Sequence, residues 1–160
     1  IQEEIFVAQL KLANTFDLPV IMHVRHAIDD VLKNLRRYPV KGGIAHAFNG
    51  SMQQAEAFIE MGFKLGFGGA MTYARATHIQ ALAKSLPIES IVLETDAPDI
   101  PPSWLGHQGR NTPGELHQIA TFFAELRGMN LTSVIETSHQ NTLDALPKIV
   151  QLCTSAENLH

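Results

Sequence analysis

The segment Ile91–Pro102, IVLETDAPDIPP, is an apolar run that ends in two carboxylates and then enters a proline-rich loop. Its first part has the length and composition of a buried strand. Glu94 and Asp96 are two positions apart, so in an extended chain they share one face. Carboxylates are costly to bury unless they are paired, hydrogen-bonded or bound to a metal. Such a strand end is typical of α/β enzymes, which keep their chemistry at the carboxyl ends of parallel strands.

Two earlier segments repeat this arrangement with histidine. PVIMHVR ends in His23 and Arg25, and GGIAHAF carries His46. A single histidine after an apolar run is usually a packed core residue, and Asp96 alone could cap the following turn. The equivalent positions of the two histidines, together with the second carboxylate Glu94, favour a metal site instead. The sequence therefore predicts a metal-dependent hydrolase.

Four segments have the composition of buried strands, and a helical pattern follows each of them. The predicted strands are Leu18–Val24, Gly43–Phe48, Phe63–Gly69 and Ile91–Thr95. The predicted helices are residues 1–16, Ile28–Arg37, Ser51 to Gly62, Thr77–Leu86, Thr112 to Gly128, and a last one from about Ser133 to Pro147. Ser51, Thr112 and Ser133 are the expected N-caps, since each has Gln or Glu three residues later.

The strand ends recur at nearly regular intervals, which predicts consecutive right-handed βα units and a parallel sheet. Four strands cannot close a barrel, which needs eight strands over roughly 200–250 residues. An open four-stranded sheet is one alternative. Half of a TIM-type (β/α)8 barrel is preferred, because every strand has its own helix and the polar candidates fall at one end. We therefore expect residues 1–160 to form the C-terminal part of one barrel domain, with residues 151–160 as a flexible tail.

Composition limits the classes of function that the chain can have. With 160 residues, 45% of them apolar and 18% charged, the chain fits one α/β domain. The net charge of −4 argues against a broad electrostatic grip on nucleic acid, but not against a local phosphate site. Cys153 is the only cysteine, which favours a reducing cytoplasm. No apolar run has the length of a membrane span. The chain begins at Ile1, within a helical pattern, and we read it as a piece of a longer protein.

Imidazole and carboxylate groups are the usual ligands of zinc, manganese and related divalent ions, and more carboxylate favours magnesium. Such an ion acidifies its water and polarises a phosphoryl or carbonyl oxygen. A free carboxylate can then accept the proton. Arg110 and Asn111 precede a predicted helix N-terminus, where anions bind readily, and are candidates for substrate contact.

Several segments together resemble the TatD family of metal-dependent hydrolases, which includes deoxyribonucleases. They are LPVIMHVR, GGIAHAFNGSMQQAEAFIEMGFKLGFGGAMTY, IVLETDAPDIPP, GRNTP and SHQNTLDAL. The resemblance implies a (β/α)8 barrel with two divalent ions and a metal-activated water that cleaves phosphodiester bonds, as in DNA. It also assigns roles by position. The implied metal ligands are His23, His46 and Asp96, with Asp96 also catalytic, and the implied substrate or phosphate positions are Arg25, Glu94, Arg110 and Asn111.

The chain departs from the family pattern in what it lacks. The family's His-x-His motif on strand one and its bridging glutamate on strand four would precede Ile1. The fragment then keeps half of each metal site, and its first and last strands become exposed edges that favour self-association. Two alternatives stay open. One is hydrolysis of a small amide or ester, and the other is an inactive or partner-binding half-barrel.

Overall fold

A computed structural model describes residues 1–24 and 27–148 of the chain. Its described residues form a parallel sheet of four strands that are neighbours in chain order. The strands are β1 (Val20–His23), β2 (Gly43–His46), β3 (Phe63–Phe67) and β4 (Ile91–Leu93). The parallel α/β architecture and the four strands were expected from the sequence, and the structure confirms them. Each strand is shorter than its apolar run, because ladder pairing ends before the hydrophobic residues do.

Helices alternate with the strands up to β4, and two consecutive helices follow it. The helices are α1 (Gln2–Thr15), α2 (Ile28–Arg37), α3 (Met52–Glu60), α4 (Thr77–Ser85), α5 (Leu116–Arg127) and α6 (Leu131–Ala145). Short 3-10 turns occupy Gly69–Thr72, Ile88–Ser90, Ser103–Leu105 and Pro113–Glu115. None of the helices in this described part of the chain combines the length and the apolar character that a membrane span requires.

The capping box predicted at Ser51 is confirmed. Its hydroxyl accepts a hydrogen bond from the Gln54 backbone N–H at 3.2 Å, while the Gln54 side chain accepts one from the Ser51 N–H at 2.9 Å. Both glycines expected to end helices have positive φ, +82° at Gly62 and +64° at Gly128. These turns need a left-handed backbone, which glycine adopts without steric cost.

The capping boxes expected at Thr112 and Ser133 do not form. Thr112 precedes the 3-10 turn Pro113–Glu115 and makes no side-chain cap, and the Glu115 carboxylate instead accepts a 2.7 Å hydrogen bond from the Trp104 indole. Helix α6 begins at Leu131, because the Asn130 side-chain oxygen accepts hydrogen bonds from the N–H groups of residues 132 and 133 at 2.8 and 3.4 Å. Asparagine is among the strongest N-cap residues, so it takes precedence over Ser133.

The main core lies between the sheet and the helices on one of its faces. Its largest fully buried side chains include Phe58, Phe63, Phe67 and Phe123. The Phe58 ring meets Phe63 edge to face, with ring centroids 5.8 Å apart, a favourable aromatic geometry. The opposite face of the sheet carries a small cluster of Ile44, Val92 and Ala145. The sheet is therefore apolar on both sides, as parallel sheets are.

The two edges of the sheet differ. The expectation of an exposed last strand is wrong, because helix α6 covers the outer edge of β4. The Leu93 N–H donates to the Ser138 hydroxyl at 3.0 Å, and the Asn141 amide donates to the Ile91 carbonyl at 2.7 Å. Strand β1 has no such cover among the described residues, and Ile21 on it is 61% exposed. The open edge of the described sheet is thus β1.

Candidate active site

The carboxyl edge of the sheet brings together the polar residues that end the strands. His23 is the last residue of β1 and lies opposite His46, the last residue of β2. The His23 Nδ1 and His46 Nε2 atoms are 2.8 Å apart, a hydrogen-bond distance. The parallel register alone therefore makes neighbours of two histidines that are distant in sequence.

His46 is the centre of this cluster. Its Nδ1 lies 3.2 Å from Glu94 Oε1, and its Nε2 lies 3.7 Å from Asp96 Oδ1. The His46 and Glu94 side chains are only 19% and 17% exposed, whereas Asp96 is 31% exposed. A carboxylate at Nδ1 favours the tautomer with a proton there, so Nε2 carries a lone pair, which accepts the hydrogen bond from His23 Nδ1 in this structure. His46 can thus act as a ligand or proton acceptor through Nε2.

Glu94 reaches His46 across an intervening strand. Strands β2 and β4 are separated by β3, and Gly66 of β3 lies between the two side chains. A Cβ atom at Gly66 would collide with the Glu94 carboxylate. The missing side chain therefore provides the space in which the carboxylate lies.

The Glu94 carboxylate is also held from β2. The Ala47 N–H donates to Glu94 Oε1 at 2.6 Å, and Ala47 has a left-handed φ of +49°. The strained backbone conformation therefore falls on the residue whose amide holds the carboxylate. Burial raises the pKa of Glu94, while the Ala47 hydrogen bond and the His46 ring oppose the rise. A buried carboxylate held by specific partners is a common sign of a functional site.

The donor types of the cluster fit a first-row divalent cation. Two imidazoles and a carboxylate are its usual ligands, and a second carboxylate on the far nitrogen of a histidine is the usual orienting partner. Within residues 1–24 and 27–148, however, no group of three His, Cys, Asp or Glu side chains is arranged to hold a metal ion. The described residues therefore offer donors of the right kind without a complete ligand set.

The remaining sequence candidates lie elsewhere or outside the described residues. Arg25 is among the residues that the structure does not describe. Arg110 is exposed in the loop after β4. Asn111 is 2% exposed, and its amide donates to the Asp99 carbonyl at 2.6 Å, so it holds that loop together. Its side-chain oxygen is buried without a partner among the described residues. The role of these three residues in substrate contact stays a prediction.

The structure adds contacts that the sequence did not indicate. The Ala47 amide and the space at Gly66 both act on Glu94. A backbone amide leaves no signal in one sequence, whereas a glycine within a strand indicates a close approach without naming its partner. Tyr73 donates from its hydroxyl to the Pro101 carbonyl at 2.9 Å, and its ring stacks on His107. These contacts join the segment after β3 to the loop after β4.

Parallel βα units with imidazole and carboxylate groups at their carboxyl edge define this chain as an α/β protein with an enzyme-type site. The chain belongs to the TatD family, since the family model described as TatD related DNase matches residues 1–147.

Relatives in other organisms agree with this assignment. The uncharacterized metal-dependent hydrolase YjjV of Escherichia coli is 39% identical over 143 residues, which are 88% of this chain and 54% of the relative. The human deoxyribonuclease TATDN3 is 32% identical over 151 residues, 94% of this chain and 53% of the relative. The chain thus spans about half the length of the relatives it matches.

Solved structures show the same fold. A crystal structure of YjjV, a TatD homolog from Escherichia coli, superposes with a TM-score of 0.81, covering 87% of this chain and 54% of that one. An uncharacterized amidohydrolase from Saccharomyces cerevisiae superposes with a TM-score of 0.76 at 19% identity, covering 91% of this chain and 59% of that one. At that identity the likeness concerns the fold alone.

Proposed function

We propose that this chain is the C-terminal part of a (β/α)8 barrel that hydrolyses phosphodiester bonds in DNA with the help of divalent metal ions. The observation that carries the proposal is the arrangement around His46, where one nitrogen is bound to a buried carboxylate and the other is directed to His23 and Asp96. Membership of a family described as TatD related DNase and a human relative named deoxyribonuclease support DNA as the substrate. We propose a cytoplasmic location, because the single Cys153 suits a reducing compartment.

The proposed metal ligands are His23, His46 and Asp96. His23 and His46 supply imidazole nitrogens to one ion, and Asp96 supplies its carboxylate mainly to the other. The remaining donors would come from the other half of the barrel, since the described residues do not form a complete set. Bound divalent ions at such a site polarise the phosphoryl oxygen and acidify water. Magnesium, manganese and zinc all fit this chemistry.

The protein groups have separate tasks in this mechanism. Asp96 is more exposed than His46 and Glu94, and it accepts a proton from the attacking water. Glu94 keeps the proton of His46 on Nδ1 and thereby holds the ring in place. Arg25, Arg110 and Asn111 are proposed to contact the phosphate or the rest of the substrate.

A substrate panel tests the proposal in the intact protein that contains this chain. Metal-free protein is supplied with magnesium, manganese or zinc and offered a labelled DNA oligonucleotide, a set of amides and a set of esters. We expect cleavage of DNA only with metal, and about a thousandfold loss of kcat/KM in His46→Ala. His117→Ala, an exposed histidine of α5, is the matched control and should behave as wild type.

Two results would contradict the proposal. Hydrolysis of amides or esters with intact DNA would show a different substrate class on the same fold. Absence of metal-dependent hydrolysis of every substrate would favour an inactive or partner-binding barrel.

A further inference from the structure

A second group of side chains lies at the carboxyl edge, outside the histidine and carboxylate cluster. The Tyr73 and His107 rings stack with centroids 5.0 Å apart and planes 10° from parallel. They line a cavity of about 720 Å³ together with Arg75 and two alanines, Ala74 and Ala76. Tyr73 follows β3 and His107 follows β4, so the cavity is on the side of the sheet that carries His46 and Asp96.

The stacked pair is fixed from several directions. The Tyr73 hydroxyl donates to the Pro101 carbonyl at 2.9 Å, and the Gln80 amide donates to the Tyr73 carbonyl at 3.1 Å. The Ser103 N–H donates to the Thr72 hydroxyl at 2.8 Å, which holds the two segments together beside the pair. Tyr73 is therefore held in place before any ligand arrives, and His107 stacks on this fixed ring, which lowers the entropic cost of binding a ligand.

The two rings differ in their surroundings. Tyr73 is half-buried, whereas His107 is exposed, so Tyr73 supports one face of the imidazole and solvent reaches the rest of it. An exposed, supported aromatic face is a platform on which a planar base can stack.

Arg75 supplies charge at the same cavity. Its side chain is exposed and forms no ion pair with any residue that the structure describes. In a chain of net charge −4, an unpaired guanidinium beside an aromatic platform is a local site for a phosphate. Single-stranded nucleic acid offers both groups at once, a base to stack and a phosphate to pair.

We propose that Tyr73, His107 and Arg75 form a subsite for one nucleotide of a single-stranded stretch of the substrate, away from the bond that is cleaved. This inference rests on the proposed function, since it assumes a DNA substrate. The base stacks on His107, Tyr73 supports the imidazole from behind, and Arg75 pairs with an adjacent phosphate. The subsite adds affinity for the strand without taking part in the chemical step.

Binding of a hexanucleotide to the intact protein tests the subsite. The strand has phosphorothioate linkages, which slow its cleavage. It also carries a single 2-aminopurine base, which is placed at each position in turn. The fluorescence of this base falls when it stacks on a ring. We expect the fluorescence to be quenched at one position of the strand. In His107→Ala this quenching should disappear, and the affinity for the strand should fall about tenfold. His107→Phe should restore both, because it keeps an aromatic face, and the control His117→Ala should bind as wild type.

An abasic nucleotide at the quenched position separates stacking from a general loss of structure. It should weaken wild-type binding about as much as His107→Ala does, and His107→Ala should cost nothing further on the abasic strand. Arg75→Ala should weaken binding to both strands and lower the salt slope of log Kd by about one, while Arg36→Ala, an exposed arginine of α2, should change neither.

Three results would overturn the subsite. Wild-type affinity and quenching in His107→Ala would show that the base stacks elsewhere, while DNA cleavage by the wild type would leave the proposed function intact. If His107→Ala lost the same affinity for the normal strand and for the abasic strand, the ring pair would serve only the structure of the loop. A wild-type protein that neither binds nor cleaves DNA would reject the subsite together with the proposed function.

Discussion

At the scale of single residues, the candidate site depends on how Glu94 holds His46. The carboxylate lies against the His46 Nδ1 atom and accepts the Ala47 N–H, and it does so while largely buried. A histidine whose second nitrogen is bound to a carboxylate has a fixed tautomer and ring orientation, and is a stronger ligand for that reason. Glu94 is thus a positioning residue for His46.

Replacing Glu94 by glutamine tests this role. Glu94→Gln keeps the size of the side chain but removes its charge, so the amide is a weaker acceptor for the His46 proton. We expect a loss of metal affinity or of activity of about 10–100-fold in the intact protein. Metal titration and kinetics check it, with the exposed Glu89→Gln as the matched control. Unchanged affinity and rate in Glu94→Gln would contradict the positioning role.

Gly66 offers a second test at the same scale. A side chain at this position would displace the Glu94 carboxylate from its contacts with His46 and Ala47. We expect Gly66→Val to shift the thermal midpoint only slightly but to lower activity by about as much as Glu94→Gln does. Gly114→Ala, whose methyl group would lie 3.3 Å from the Thr112 hydroxyl and meet no carboxylate, is the control. Wild-type activity in Gly66→Val would show that Glu94 does not depend on the space at Gly66.

At the scale of elements, the start of α6 depends on one asparagine. The Asn130 side chain accepts hydrogen bonds from two N–H groups of the first turn. Asn130→Ala should lower the free energy of unfolding by about 1 kcal/mol. Ser133→Ala should have almost no effect, because Ser133 lies inside the helix and is exposed. Denaturant unfolding of both variants decides between these two N-caps, and a larger loss in Ser133→Ala would favour the capping box.

Helix α6 is joined to β4 by Asn141. Its buried amide donates to the Ile88 and Ile91 carbonyls at 2.8 and 2.7 Å. Asn141→Ala leaves two carbonyl groups without a partner, so we expect a loss of about 2 kcal/mol in unfolding free energy. Gln140→Ala, its exposed neighbour, should change stability by less than about 0.5 kcal/mol. Similar stabilities of the two variants would show that Asn141 does not hold this edge.

Strong local patterns allowed many elements to be predicted from the sequence. Helix α2 has the bounds expected from its charge pattern, and the Ser51 cap follows from side chains three residues apart. The α6 cap was misplaced because Asn130 and Ser133 both suit an N-cap, and only backbone geometry decides between them. Strand ends were placed too late, since apolar runs extend beyond the paired residues.

The candidate site was predictable in part for a related reason. Histidines at the ends of consecutive strands must become neighbours in a parallel sheet, so the His23 and His46 pair follows from the sequence pattern. The contact of Glu94 with His46 crosses a third strand and depends on the absence of a side chain at Gly66. Contacts of this kind require the register of three strands, which one sequence does not specify.

At the scale of the whole molecule, the sheet has one covered and one open edge. Helix α6 supplies a hydrogen-bond partner to the outer edge of β4. On the opposite side of the sheet, Ile21 of β1 is exposed, as are Ile5 and Leu12 of α1. We expect the isolated 160-residue chain to self-associate, as open apolar strand edges do. Sedimentation velocity should show species larger than a monomer, reduced by Ile21→Lys but not by Ile135→Lys on α6. A clean monomer at all concentrations would contradict this.

The central claim is that His46 is a metal ligand of a hydrolase, and calorimetric titration of manganese into the intact metal-free protein tests it most directly. The account predicts that His46→Ala loses one binding site or weakens it by about a hundredfold or more, while His117→Ala titrates as wild type. Wild-type stoichiometry and affinity in His46→Ala would contradict the account, because the residue on which the cluster converges would then hold no metal.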